Sequence, residues 1–110
     1  MSDDLSLLDA TAQADLVRTR QLSPGELVEA AIARLERLDP QLNAVILPAL
    51  EAARARAAGP LPDGPFRGVP FLMKDLGGQQ AGERFTAGMR CLTDANWTEP
   101  TNAYIVDKFL

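Results

Sequence analysis

Lys74 is the residue of this sequence whose type and position offer the clearest chemistry. It follows residues 69–73, which are all apolar or Pro, with Gly68 before them and Gly77-Gly78 shortly after. Such a run predicts a short strand buried on both faces. A lysine at the end of a buried strand loses hydration, and this lowers its pKa because the ammonium form is disfavoured. A neutral amine can accept a proton, so Lys74 is a candidate general base.

A solvated lysine is the alternative interpretation of the same pattern. Lysine can lay its aliphatic stem along apolar surface while its amine stays in water, and buried lysines are rare. Composition and spacing leave the two interpretations of Lys74 open.

The composition excludes several other kinds of site. The sequence has 110 residues, no histidine and one cysteine, Cys91, so neither a Ser-His-Asp triad nor a His-containing or four-cysteine zinc site can be built within it. Cys91 has no histidine or adjacent lysine that would activate it, and we expect a buried, inert thiol. A net charge of −4 argues against a general nucleic-acid or anionic-membrane surface. With no signal pattern and no spanning apolar run, a soluble cytoplasmic protein is expected.

Helices dominate the elements that must position Lys74. Apolar residues recur every fourth position over residues 5–20, which predicts an amphipathic helix. Ser23, Pro24 and Glu26 form a capping-box pattern that predicts the start of a second helix, which Asp39-Pro40 should end. Further expectations are a short strand at 43–47, a third helix opened by Pro48 and ended by Gly59, and a final helix after Thr101 or Asn102.

Several segments together resemble a known family. Residues 68–75, Gly-Val-Pro-Phe-Leu-Met-Lys-Asp, resemble the G-V-P-x-x-x-K-D segment of the amidase signature family. Gly82 and Thr86-Ala87-Gly88 are similar to the loop that follows it, and residues 22–28 and 38–44 resemble the two N-terminal helices and their connector. The similarity covers nearly the whole chain in the family's order.

The resemblance implies a fold and an activity. The fold is α/β: the N-terminal part of a mixed β-sheet covered by helices, helix-rich in residues 1–110, with one buried strand ending at Lys74. Family members hydrolyse carboxamides with a Ser–cis-Ser–Lys triad, and the resemblance assigns Lys74 to its lysine, which accepts and returns the proton. Asp75 is then a structural partner for loop backbone. The resemblance implies no metal or organic cofactor and a small-molecule amide as substrate.

The sequence lacks what such a triad also needs. Its only serines, Ser2, Ser6 and Ser23, precede Lys74, whereas both triad serines of the family lie well downstream. We therefore expect an N-terminal segment of one amidase domain, incomplete at its C-terminal end. The 110 residues alone should be inactive and should associate through uncovered apolar faces, including as homo-oligomers.

Three departures from the family pattern bear on the substrate. Leu76 stands where the family often has Asn, and the loop to Thr86-Ala87-Gly88 is one residue longer than usual. Phe85 and Met89 replace hydroxyl residues that commonly flank Thr86-Ala87-Gly88. These changes argue against the tRNA-dependent amidotransferase branch and favour a general amidase acting on aliphatic or cyclic amides. A hypothesis of another class stays open, namely a helical interaction or oligomerisation module in which Lys74 is merely solvated.

Overall fold

The computed structural model describes residues 2–110, with side chains described from residue 4 onward. The chain divides into two compact units, one ending at Phe71 and the other comprising Leu72–Leu110. The helices are α1 (Ser2–Leu5), α2 (Ala10–Arg18), α3 (Pro24–Leu42), α4 (Leu50–Ala58), α5 (Arg90–Asp94) and α6 (Tyr104–Phe109). No helix among these residues is long and apolar enough to cross a membrane.

The predicted first helix is divided in two by Asp9. The Asp9 carboxylate accepts a hydrogen bond from the Ala12 amide at 2.8 Å, so it caps the start of α2 and lies outside the helix. Aspartate favours this position because its side chain satisfies an amide that has no partner within the helix. The Gln13 amide group donates to the Leu5 and Leu8 carbonyls and closes the connection between α1 and α2.

Helix α3 is the central element of the first unit. The predicted capping box is present: the Glu26 amide donates to Ser23 Oγ at 3.2 Å, and the Ser23 amide donates to Glu26 Oε2 at 2.8 Å. Helix α3 packs against α1 and α4. Its buried residues are Leu27, Val28, Ala30 and Ile32.

The end of α3 differs from the sequence prediction. The helix continues through Pro40 to Leu42 and ends at Asn43, which has a left-handed backbone with φ of +51°. Pro40 lies in the last turn, where its ring and its missing amide disrupt least of the helix. The Asp39 carboxylate accepts hydrogen bonds from the Ala44 amide at 2.7 Å and the Val45 amide at 3.0 Å. Asp39 therefore stabilises the chain that leaves the helix.

The end of the first unit is a loop that returns to the start of α3. Gly68 has a φ of +82°, and a Cβ built there would meet Pro24 Cγ at 2.9 Å and Val17 Cγ1 at 3.3 Å. Only glycine combines this backbone conformation with so close an approach. Gly68 thus fixes the chain just before the apolar run that leads to Lys74.

The second unit is built from loops and two short helices. Arg84 and Thr98 form an antiparallel bridge, flanked by hydrogen bonds from the Phe85 amide to the Trp97 carbonyl and from the Glu99 amide to the Glu83 carbonyl. Asn102 joins two further parts of the unit. Its Oδ1 accepts from the Ala81 amide at 2.7 Å, and its Nδ2 donates to Asp107 of α6 at 2.7 Å. Val106 of α6 is fully buried.

The predicted strands are not formed in the described part of the chain. Residues 43–47 and 69–74 are irregular, and the bridge at Arg84 is the extent of β-pairing found among residues 2–110. A strand needs a hydrogen-bonded neighbour, and no other described segment pairs with residues 69–74. The two-sided burial that was predicted is absent too, because Phe71 is 62% and Leu72 is 68% exposed.

Candidate functional site

Lys74 lies immediately before a turn formed by residues 75–77. Its side chain is exposed to solvent, which differs from the dry environment that the sequence predicted. The difference has the same origin as the missing strand, because no described element covers the end of the apolar run. The described residues of the second unit therefore fix where the main chain of Lys74 lies but do not exclude water from its amine.

Asp75 connects Lys74 to a distant loop. Its Oδ1 accepts a hydrogen bond from the Thr86 amide at 3.0 Å, and its Oδ2 accepts from Thr86 Oγ1 at 2.7 Å and from the Gly88 amide at 3.0 Å. Thr86 is only 7% exposed. These contacts agree with the expectation that Asp75 is a structural partner for loop backbone. We call Asp75, Thr86 and Gly88 the carboxylate clamp.

The local backbone explains why Thr86-Ala87-Gly88 can meet a carboxylate. The Met89 amide donates to the Thr86 carbonyl at 2.7 Å, which closes a four-residue turn. Both central residues have positive φ, +47° at Ala87 and +68° at Gly88, as in a type I′ turn. Successive amides in such a turn form a concave surface that suits an anion, and the anion here is Asp75.

The clamp also sets the charge state of Asp75. Burial by itself raises the pKa of this carboxyl, because the charged form loses hydration. The hydrogen bonds from the Thr86 hydroxyl and from the amides of Thr86, Gly88 and Ala87 act in the opposite direction and outweigh burial, so the pKa of Asp75 is lowered overall. Asp75 is therefore a stable anion at neutral pH.

The main chain of Lys74 also lies very close to Gly78. A Cβ built at Gly78 would overlap the Lys74 carbonyl oxygen and would lie 2.7 Å from Met73 Cγ. Gly78 is thus required by space, because a backbone carbonyl has no freedom to move aside. From the sequence, Gly77-Gly78 was interpreted only as a break after the strand. A glycine pair so soon after Lys74 is the signal that could have revealed this packing.

The other residues of interest lie near the clamp in the sequence but differ in exposure. Leu76 is 67% and Met89 is 47% exposed, whereas Phe85 is partly buried. Cys91 is exposed in α5, which corrects the expectation of a buried thiol. No group of His, Cys, Asp and Glu within the described residues could hold a metal ion.

The chain is similar to known amide hydrolases. No protein-family profile matches the sequence. The 6-aminohexanoate-cyclic-dimer hydrolases of Pseudomonas sp. (strain NK87) and Paenarthrobacter ureafaciens are each 41% identical over 100 residues, covering 91% of this chain and 20% of theirs. A solved structure of a 6-aminohexanoate cyclic dimer hydrolase complexed with substrate superposes with a TM-score of 0.82 at 39% identity, covering 93% of this chain and 21% of that one.

Sequence similarity and fold thus agree on one class, the amidase-type hydrolases. The chain belongs to the amidase signature family, as the G-V-P-x-x-x-K-D segment and the Thr86-Ala87-Gly88 loop had suggested. It spans about a fifth of the length of the hydrolases it matches.

Proposed function

We propose that this chain is the lysine-bearing part of an amidase that cleaves carboxamide C–N bonds through a serine acyl-enzyme, with Lys74 as the triad lysine. The observation that carries the proposal is the match to the solved hydrolase along 93% of the chain. Lys74 stands in the segment that resembles the family's lysine motif, and Asp75 and Thr86 join that segment to the similar downstream loop.

The proposed chemistry needs groups from the rest of an amidase domain. Lys74 accepts the proton of a bridging cis-serine, which in turn activates a nucleophilic serine for attack on the amide carbonyl. The nitrogen leaves with a proton returned through the same pair, and water then hydrolyses the acyl-enzyme. Neither serine is encoded in residues 75–110, so the 110-residue chain should be inactive alone.

The proposal also accounts for the exposed apolar residues. In a complete domain we expect residues 69–74 to pair with neighbouring strands in a mixed sheet covered by helices. Phe71 and Leu72 would then be covered, and burial of the strand end would remove water from Lys74. Loss of hydration lowers the pKa of a lysine, as a general base working near neutral pH requires.

The substrate class we propose is an aliphatic or cyclic amide. Two relatives that match 91% of this chain are named for the cyclic dimer of 6-aminohexanoate. Apolar residues stand on either side of the clamp, because Phe85 and Met89 flank its turn and Leu76 follows Asp75. Methylene-rich amides suit such surroundings better than strongly polar ones.

A chimera tests the proposal. This chain replaces the matching fifth of the Pseudomonas hydrolase, and hydrolysis of the 6-aminohexanoate cyclic dimer is measured. Lys74→Met and Lys74→Ala should abolish turnover while circular dichroism stays unchanged. Lys108→Met is the matched control, because Lys108 is the only other lysine in the sequence and stacks on Tyr104 at 5.0 Å. Turnover by the Lys74→Met chimera at the unsubstituted rate would refute the assignment.

One observation favours the second candidate function, an interaction module. Lys74 is exposed, and three apolar side chains close to it in sequence, Phe71, Leu72 and Leu76, are each more than 60% exposed. These are properties of an association surface. The two candidates differ in the chimera, because an interaction module would supply no triad lysine and the unsubstituted chimera would then be inactive.

A further inference from the structure

We infer that Asp75 is a positioning residue for the proposed reaction: with Thr86 and Gly88 it fixes the main chain from which Lys74 projects. This inference rests on the proposed role of Lys74 and assigns a function to the residues of the carboxylate clamp. It concerns how the lysine is held in place, and not which group transfers the proton.

Several hydrogen bonds converge on the Asp75 carboxylate. Three hydrogen bonds of 2.7–3.0 Å join Asp75 to residues 11 and 13 positions away. Hydrogen bonds to a charged acceptor are stronger than those between neutral groups. The Thr86 side chain, from which the shortest of them comes, is buried. Asp75 therefore has little freedom to move, and neither has the peptide unit that joins it to Lys74.

Gly78 restrains the backbone of Lys74 independently of the clamp. Gly78 lies against the Lys74 carbonyl so closely that no Cβ fits between them. The backbone of Lys74 is thus restrained by Gly78 through its carbonyl and by the clamp through the next residue. The main chain of Lys74 is thus restrained twice, whereas its side chain forms no hydrogen bond or ion pair within the described residues. A reaction that demands exact placement of an amine would need such restraints.

Asp75 acts through the backbone and not by direct contact. Lys74 and Asp75 form no ion pair among the described residues, and both Asp75 oxygens already accept hydrogen bonds from the turn. The contacts of the carboxylate are therefore made with the turn and not with the Lys74 amine. Loosening it should displace Lys74 without removing any reacting group.

The kinetic test uses the chimera described above. Thr86→Val keeps the shape of the side chain but removes its hydroxyl donor, and Asp75→Asn turns an NH2 group towards the turn amides. We expect each to lower kcat by about 10- to 100-fold, the scale on which small misplacements of a catalytic group act. KM should change by less than about twofold, because uniform binding is untouched. Thr86→Ser, which restores the hydroxyl, should recover most of the rate.

The pH profile separates positioning from a general loss of folded enzyme. If the clamp places Lys74, both variants should also move the limb of the kcat/KM profile that reports the lysine. Unchanged kcat per folded molecule in Asp75→Asn and Thr86→Val would overturn the inference, even if less protein folds. Because the proposed function fails only if Lys74→Met remains active, the two failures are distinguishable.

A second test uses the 110-residue chain itself. Amide hydrogen exchange at Thr86 and Gly88, followed by NMR, should accelerate by about tenfold or more in Asp75→Asn, because the amides lose their charged acceptor. Asp94→Asn is the matched control, since Asp94 is an exposed aspartate of α5 in the same unit. Equal exchange at both amides in Asp75→Asn and in the unsubstituted chain would overturn the inference without any activity measurement.

Discussion

Arg54 of α4 donates two parallel hydrogen bonds to Glu29 of α3, from Nε to Oε1 at 2.7 Å and from Nη2 to Oε2 at 3.1 Å. The same guanidinium also donates to Glu51 at 2.6 Å. The hydrogen bonds that Arg54 donates to Glu29 lower the pKa of Glu29, and the bonds that Arg54 donates to Glu29 and Glu51 raise its own pKa. Arg54 thus connects α4 to α3.

Replacing Arg54 by Lys should lower the Tm, because a lysine cannot reproduce the two parallel hydrogen bonds. The pair is exposed, so the decrease should be small and should shrink further in about 1 M NaCl, where charges are screened within a few ångströms. Thermal unfolding at low and high salt checks this. Arg90→Lys, at an exposed arginine of α5, is the control and should leave the Tm unchanged.

Asp75 should make the second unit acid-sensitive. Its pKa is lowered in the folded chain, so its ionisation adds stability that is fully present above the unfolded value of about 4 and is lost as the pH falls through the folded value. Urea unfolding followed by fluorescence of Trp97, the single tryptophan, measures this in the same unit. The difference in free energy of unfolding between the unsubstituted chain and Asp75→Asn should be constant above about pH 5 and should shrink below about pH 4. A difference that does not depend on pH would contradict the role of the charge.

Gly78→Ala should be the most disruptive single-methyl substitution in the second unit. The added Cβ would collide with the Lys74 carbonyl, and relieving such overpacking typically costs about 1–3 kcal/mol. Gly64→Ala is the matched control, because a Cβ there meets nothing within 4 Å and the backbone has no positive φ. Chemical denaturation of the two variants provides the comparison. Equal stabilities would show that the chain around Lys74 yields more easily than the geometry implies.

Ser23→Ala should cost about 1 kcal/mol, because it leaves the Glu26 amide at the start of α3 without its partner. Ser23→Thr keeps both the acceptor for the Glu26 amide and the hydroxyl that donates to Glu26 Oε2, and should retain most of the stability. Circular dichroism during denaturation measures both, since α3 is the longest helix of the described chain. A loss of similar size in both variants would assign the effect to something other than the cap.

Local signals predicted the helices well where the deciding groups are close in sequence. Ser23 and Glu26 are three residues apart, and their capping box forms as expected. Asp75 was expected to be a partner for loop backbone, but the sequence did not indicate that Thr86-Ala87-Gly88 is the loop. The helix bounds near Asp9 and Pro40 were predicted wrongly, although both signals are also local in the sequence. The effect of a single helix-breaking or capping residue on the helix bounds depends on the helical turn in which it lies. The periodicity of apolar residues does not determine that turn.

The strand before Lys74 could not be judged from the sequence, because strands are stabilised by partners. An apolar run predicts that its side chains are buried, but it does not identify the segment with which it pairs. Whether it pairs depends on segments elsewhere, and the described residues offer none to residues 69–74. The same reason explains why the exposure of Lys74 could not be predicted, whereas the clamp beside it, closed within fourteen residues, is complete.

The exposure of Phe71, Leu72 and Leu76 also has a consequence for handling the chain. Chymotrypsin accepts large apolar residues in its specificity pocket, and an irregular, accessible backbone is easily cut. Limited digestion should therefore begin in this segment, beside the boundary at which the chain divides into its two units. The rate of that first cut would serve as a simple gauge of whether any added segment of an amidase has covered the approach to Lys74.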